Sequence, residues 1–258
     1  NYFTKAGSFG VDAYGTLCTA AGASVMGWQV DPMDPTKTVA DMVSPLNIMS
    51  PENLYANPEA TTAAYVSGNI DSKDTQIAYN ATGKMVNLSF FDNMGHSYKA
   101  DIRVRQTADE GTNVYAVDVI DIKDEKGKSI FVIEEVDEDG NVTYDASGIT
   151  RITFGDAQYN ATVDQTTGNV TLTATESVLL TFNGSNGAFV SIGDGDTDSS
   201  NDSVALTIVA DAGGANPFRP IDVNFSKVTM YSNSGNSSLE ANKGSLTGIG
   251  AGKQVGNM

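Results

Sequence analysis

Residues 2–30 read YFTKAGSFGVDAYGTLCTAAGASVMGWQV, and this stretch spells out strand, turn and strand. Ser8 to Asp12 is a short alternating run, Ala13-Tyr14-Gly15 supplies a turn in which glycine accepts a positive φ, and Thr16 to Thr19 is the returning strand. With the turn centred on Ala13-Tyr14, Val11 faces Thr16 and Phe9 faces Cys18. Gly22 permits a second reversal, and Val25 to Val30 is a further apolar strand. It carries Trp28, the chain's one tryptophan, as Cys18 is its one cysteine.

The same texture continues along the chain. Strands are expected at 64–70, 85–91, 100–105, 114–122, 130–134, 149–154, 158–163, 170–173, 178–182, 188–192 and 204–209, where apolar residues alternate or form short β-branched runs. Turn residues separate them, among them Gly127, Asp139-Gly140-Asn141, Thr167-Gly168-Asn169 and Asn183-Gly184-Ser185. No window sustains an i, i+3, i+4, i+7 apolar pattern over three turns, and no fixed-period repeat is present. The fold class is therefore all-β, with a sandwich or partly closed barrel in the middle of the chain.

Pro32, Pro35, Pro45, Pro51 and Pro58 are five of the chain's seven prolines. Proline removes a ladder donor, so this span reads as an extended connector with no sheet of its own. The other two, Pro217 and Pro220, follow the glycine-rich Asp211-Ala212-Gly213-Gly214. Two proline-marked crossings suggest one domain inserted in another: an inner β-domain of residues 1–59 plus 218–258, interrupted by a larger β-domain of residues 60–217. A strand from Ile221 to Tyr231 opens the return segment.

With 32 acidic and 15 basic residues the formal charge is −17. Nucleic acid and anionic membrane are excluded as partners, because phosphate binding needs clustered Lys and Arg. One cysteine forms no internal disulfide and builds no multi-cysteine zinc site. No apolar run is long enough to span a bilayer, and no charged-then-apolar leader opens the chain, which reads as an excised fragment.

Three motifs carry a resemblance. YFTKAGSFGVDAYGTL followed by VMGWQ resembles the segment shared by axial proteins of the bacterial flagellum, close to YFTRAGSFSVDANGYLV, and Val25-Met26-Gly27-Trp28 points within them to the hook protein. Ala60-Thr61-Thr62 through Ser67-Gly68-Asn69-Ile70-Asp71-Ser72 is similar to the hook pattern ATT…SGNLDS that opens the outer domain. Phe225 to Tyr231 is similar to FSGLTQY, where the chain re-enters the inner one. The resemblance covers about the first 72 and the last 38 residues, and residues between match no motif. It implies nested β-domains, export through the flagellum's own channel, and a structural subunit that polymerises with itself and meets other axial proteins, in the flagellar hook or in a periplasmic flagellum if of spirochaete type.

Candidate chemistry elsewhere is thin. Asp194, Asp196 and Asp198 have the alternate spacing of a calcium loop, but Ser199 and Ala205 stand where glycine and glutamate belong. Glu134, Glu135, Asp137, Glu138 and Asp139 read as an exposed acidic hairpin end. His96, the one histidine, lies in the turn Asp92-Asn93-Met94-Gly95-His96-Ser97 without a nucleophile motif. Neither G-x-x-x-x-G-K-[ST] nor a strand-to-helix G-x-G-x-x-G is present. The chain is expected not to be an enzyme, and to need no cofactor or metal.

Cys18 has two readings. As a lone cysteine in a strand it is a small hydrophobe. The resemblance implies another: spirochaete-type hook subunits join through lysinoalanine, formed when a cysteine becomes dehydroalanine and a neighbour's lysine adds to it, and Lys5 in YFTKAG with Cys18 in TLCT stand at the corresponding places. In the expected register Lys5 lies about 13 Å along the strand from the residue opposite Cys18, and a lysine side chain spans about half of that, so the bond is expected between molecules. The alternatives kept open are a distal rod or hook-filament junction protein, and a secreted β-sandwich adhesin or carbohydrate-binding module. Without the family's terminal helical segments, the fragment alone is expected to be a soluble monomer.

Overall fold

Period-two alternation becomes strand throughout a computed structural model that describes residues 3, 7–31, 34–49, 58–107, 113–147, 149–194, 201–210 and 216–243. The described residues contain no helix, and the protein is all-β. They divide into two units, with the smaller within residues 1–57 and the larger spanning 58–251.

The smaller unit pairs β1 (Phe9–Val11) with β2 (Leu17–Thr19), and β3 (Met26–Asp31) with β4 (Asp34–Pro45), both antiparallel. Backbone bonds tie these ribbons together: Leu17 N donates to Leu46 O, Leu46 N to Val25 O and Ile48 N to Gly15 O. Where the prolines suggest a connector, β4 is a twelve-residue strand. Among the described residues it pairs only with β3, and Pro35 and Pro45 lie near its two ends. A missing N–H is tolerated on an edge strand and at strand ends, which is why proline count misleads there.

The larger unit holds a seven-stranded sheet in the order β13 (Val170–Ala174), β12 (Ala157–Val163), β11 (Ile149–Phe154), β16 (Ser203–Ala210), β17 (Ile221–Thr229), β5 (Ala63–Asn69), β18 (Ser238–Lys243). A five-stranded sheet runs β15 (Phe189–Gly193), β14 (Val178–Phe182), β8 (Val114–Lys123), β7 (Ser97–Gln106), β6 (Lys84–Phe91). Both are curled half-barrels, with edge strand β18 against edge strand β6. Between them Val66, Leu88, Ile102, Phe154, Leu180, Leu206 and Phe225 belong to one buried cluster, each such side chain stabilising the fold by roughly 1.5–3 kcal/mol. A separate hairpin pairs β9 (Val132–Val136) with β10 (Val142–Ala146).

The return segment differs from its expected place with residues 1–59. β17 lies between β16 and β5 in the larger sheet, and β18 pairs with β5 on the other side. The physical reason is local: Val223, Phe225, Val228 and Leu239 are buried in the larger unit's core. Pro217 and Pro220 mark a turn inside that unit, where Pro217 O accepts from Asn93 N and Phe218 packs edge-on against Tyr98 and Phe90. The strands through which the chain runs into and out of this unit are neighbours, with Ala64 opposite Lys243.

Candidate assembly surface

The opening hairpin has a three-residue loop. Gly15 takes φ +80°, Gly15 N donates to Asp12 O, and Asp12 N donates to Thr16 O. Asp12 Oδ1 accepts from Tyr14 N and Thr16 N, each at 2.9 Å. The loop is thus one residue longer than expected, and the register moves: Phe9 pairs with Thr19, Gly10 with Cys18, Val11 with Leu17. Lys5 precedes Gly10, the residue opposite Cys18, by five positions. Lys5 itself lies outside the described residues.

The same device recurs at Asp92-Asn93-Met94-Gly95-His96, Asp124-Glu125-Lys126-Gly127-Lys128 and Asp137-Glu138-Asp139-Gly140-Asn141. In each, one carboxylate oxygen accepts from the N–H groups two and four residues on. An aspartate that satisfies turn donors, followed three residues later by a glycine at positive φ, closes a three-residue hairpin loop. The repeated D-x-x-G is the signal for this role of Asp12.

Cys18 is a free, half-buried thiol. Gly10 stands opposite it, with open space where a side chain on Gly10 would be, and Ser24 bridges to it on the other side. Small neighbours leave the thiol approachable.

β3 presents an unusual face. Met26, Trp28 and Val30 share one side by alternation, and they are 48%, 54% and 54% exposed. On the opposite side Leu46 carbons lie 2.9 Å from where a Cβ on Gly27 would stand, and exposed Gln29 donates through Nε2 to Ser44 Oγ at 3.1 Å and Pro45 O at 2.9 Å. β1 and its turn add exposed Phe9, Val11 and Tyr14. No large apolar side chain among the described residues of this unit is buried.

In the larger unit the two other resembling motifs meet. β5 and β17 run parallel side by side. Asn69 Oδ1 accepts from Tyr231 N at 2.7 Å and from Thr229 Oγ1 at 3.1 Å, while Asn69 Nδ2 donates to Tyr231 O at 2.9 Å. Asp71 is buried and accepts from the N–H groups of Lys73, Asn233 and Gly235. Ser237 closes the junction, its Oγ accepting from Asp71 N and its N–H donating to Asp74 Oδ2. In the sequence the signal for this role is two polar residues, Asn69 and Asp71, at the end of an apolar strand.

The N–H groups of Lys73, Asn233 and Gly235 hold the Asp71 carboxyl below the usual carboxylate range. At Asp74 burial pushes upward, but hydrogen bonds from Gln76 and Ser237 outweigh it and the net shift is also down. A carboxyl depressed on folding contributes stability that is complete above its unfolded value, ~3.9, and is lost as pH falls through the folded value. Thermal unfolding followed from pH 7 downward is therefore expected to hold nearly level until about pH 4 and then to fall. Asp71→Asn should shallow that acid limb; an unchanged limb in the variant counts against this role.

Of the remaining candidates, those among the described residues make turn contacts. His96 Nδ1 lies 3.0 Å from Asp92 Oδ2, the other oxygen of the same carboxylate holding the turn. Tyr98 Oη donates to Asp92 Oδ2 at 3.3 Å, and burial, then the Asp92 charge, pushes the phenol up to about 12. The acidic hairpin end is the β9–β10 turn, where the Asn141 side-chain amide and backbone N–H groups hold Asp137 below the carboxylate range. Asp194 is described; Asp196, Asp198 and Ser199 lie outside the described residues. No protein-family model matches the chain, and no curated protein matches it.

Proposed function

We propose that this protein is a structural subunit of the bacterial flagellar hook, polymerising with itself into the flexible joint between rod and filament and meeting other axial proteins at the joint's ends. The observation that carries this reading is the smaller unit, which displays apolar ribbons and buries none of its described large apolar side chains. Isolated two-stranded ribbons are marginal in water, so such a surface is suited to completion by neighbours. A repeated heterologous contact that does not close builds a helical tube. The adjacency of Ala64 and Lys243 suits an inserted unit whose first and last described strands lie side by side. Its place is the hook, or the periplasmic flagellum if of spirochaete type.

Within that reading Lys5 and Cys18 of neighbouring subunits form lysinoalanine. A base removes the Cys18 α-proton, the Cβ–Sγ bond breaks, and sulfur leaves as hydrosulfide to give dehydroalanine. The neutral Lys5 Nζ of the neighbour then adds to Cβ, Cα regains a proton, and the nitrogen loses one. One hydrogen sulfide leaves per bond, and no oxidant is consumed. Because the amine must be neutral, alkaline conditions speed the addition.

The full-length subunit held under polymerising conditions is expected to give a ladder on denaturing gels that survives reductant, with a mass deficit of one hydrogen sulfide per bond. Cys18→Ala and Lys5→Ala should each abolish it. Ladders in both variants, or none in the parent, would sink the cross-link, and failure to join hook tubes would sink the assignment.

A further inference from the structure

Two hairpin loops of the larger unit are built alike. In the loop joining β12 to β13, Asp164 N donates to Asn169 O, Gly168 N donates to Asp164 O at 2.7 Å, and Asp164 Oδ1 accepts from Thr166 N at 2.9 Å. In the loop joining β14 to β15, Asn183 N donates to Ala188 O, Gly187 N donates to Asn183 O at 2.7 Å, and Asn183 Oδ1 accepts from Ser185 N at 2.9 Å. Gly168 and Gly187 take φ +70° and +66° at the same place. The first residue is aspartate in one loop and asparagine in the other, and the second is Gln165 in one and Gly184 in the other.

When glycine follows asparagine, the glycine nitrogen reaches the side-chain amide freely, because no Cβ crowds its approach. The β14–β15 loop holds two such pairs, Asn183-Gly184 and Asn186-Gly187, and the fold treats them differently. Asn183 and Gly184 are exposed, and among the described residues no acceptor holds the Gly184 N–H. The bond from Ser185 N to Asn183 Oδ1 folds that side chain back over the Gly184 peptide and polarises its carbonyl. Asn113 Nδ2 would stand 2.2 Å from a Cβ on Gly184, so glycine fits where a larger residue would have to displace Asn113. Gly187 is buried, with its N–H held by Asn183 O and its carbonyl by Met230 N. Its nitrogen is not free to turn toward the Asn186 amide.

We infer that Asn183 is a site of self-modification, at which the folded chain exchanges the side-chain amide for a carboxylate. Solvent hydroxide removes the Gly184 amide proton, the nitrogen bonds to Asn183 Cγ, and the Cγ–Nδ2 bond breaks. Nδ2 takes a proton from water and leaves as ammonia, so hydroxide is regenerated and a five-membered succinimide remains. Water then opens the ring at Cγ to give aspartate, or at the backbone carbonyl to give isoaspartate. Asp164 shows that the same loop accepts the first product: the N–H groups of Thr166 and Thr167 hold its carboxyl below the usual carboxylate range. Isoaspartate adds a carbon to a backbone pinned by the Asn183, Gly187 and Met230 bonds. Each event adds one negative charge to a chain already at −17, so the protein's charge records its age.

The full chain, held in mildly alkaline buffer and mapped by peptide mass spectrometry, should gain the amide-to-acid mass increment about tenfold faster at Asn183 than at Asn186, because the Gly187 bond must open first. In chain unfolded by urea the two rates should come together. Fragmentation that tells aspartate from isoaspartate should find a larger aspartate share at position 183 in folded than in unfolded chain. Asn183→Gln should abolish the increment there, and Asn183→Asp should keep the unfolding midpoint of the larger unit. An Asn183 that stays intact in folded chain while unfolded chain converts overturns the inference. So do equal rates at the two asparagines in folded chain, a gap that persists in urea, or a lowered midpoint in Asn183→Asp.

Discussion

Replacing Gly68 by alanine is expected to lower the stability of the larger unit by about 3 kcal/mol, which for a unit this size means a drop in midpoint temperature of about 6–12 °C. Gly68 sits at φ +129°, a region that side chains other than hydrogen rarely occupy. A Cβ there would stand 2.0 Å from the Ser238 carbonyl oxygen, which belongs to backbone and has no rotamer to escape into. The strain falls where β18 pairs with β5, Ser238 lying opposite Asn69 and Leu239 opposite Gly68. Amide exchange should therefore accelerate in residues 238–243 before it does in β7 or β8. Uniform exchange across both sheets, or a loss below about 1 kcal/mol, would contradict this reading of the site.

Phe225→Ala is expected to cost about 3–5 kcal/mol, from lost transfer free energy and from the cavity left behind. Phe225 is 1% exposed, lies on central strand β17, and meets Phe154 edge-on with ring centroids 6.4 Å apart. Phe225→Leu keeps most of the volume and should cost about 1.5 kcal/mol or less. Equal losses from the two substitutions would mean that the position is held by backbone pairing and not by ring packing. Urea midpoints with unchanged slopes give the comparison.

Most strands were legible because their inward residues are large and their outward ones polar. Val86, Leu88 and Phe90 alternate with Asn87 and Ser89, and Ile152 and Phe154 flank Thr153; these patterns survive folding because burial sets the register. β18 escaped notice although Leu239 and Ala241 alternate, since Glu240, Asn242 and Lys243 have weak strand preference and supply no apolar run. β10 is held by its partner across the Asp137 turn more than by its own residues. Pro217 and Pro220 suggest a crossing because proline marks turns inside a unit and links between units with the same local signature. What distinguishes the two is Phe218 against Tyr98 and Phe90, a contact between residues more than a hundred positions apart, which no local pattern encodes.

The candidate surface was legible only in part. Alternation in VMGWQV announces a strand, and sequence alone supplies no sign that the apolar side faces outward. The opening turn was found, but its length was not: a glycine third in the loop and an aspartate before it add one residue, and that residue changes Cys18's opposite number from phenylalanine to glycine.

The pairing of Ala64 with Lys243 also decides how the larger unit bears a pull. Tension applied to the chain on either side of the unit, at residues 63 and 243, enters at one corner of the seven-stranded sheet. Separating those points breaks the β5–β18 ladder one rung at a time, starting at its Ala64–Lys243 end, and strips β18 from β6, whereas β7, β8 and β14 lie off the line of force. Rungs loaded in series yield at low force and close again when it is released. The seam that yields carries Leu239 of the buried cluster and the contact of β18 with β6, so a pull along it reaches the core directly.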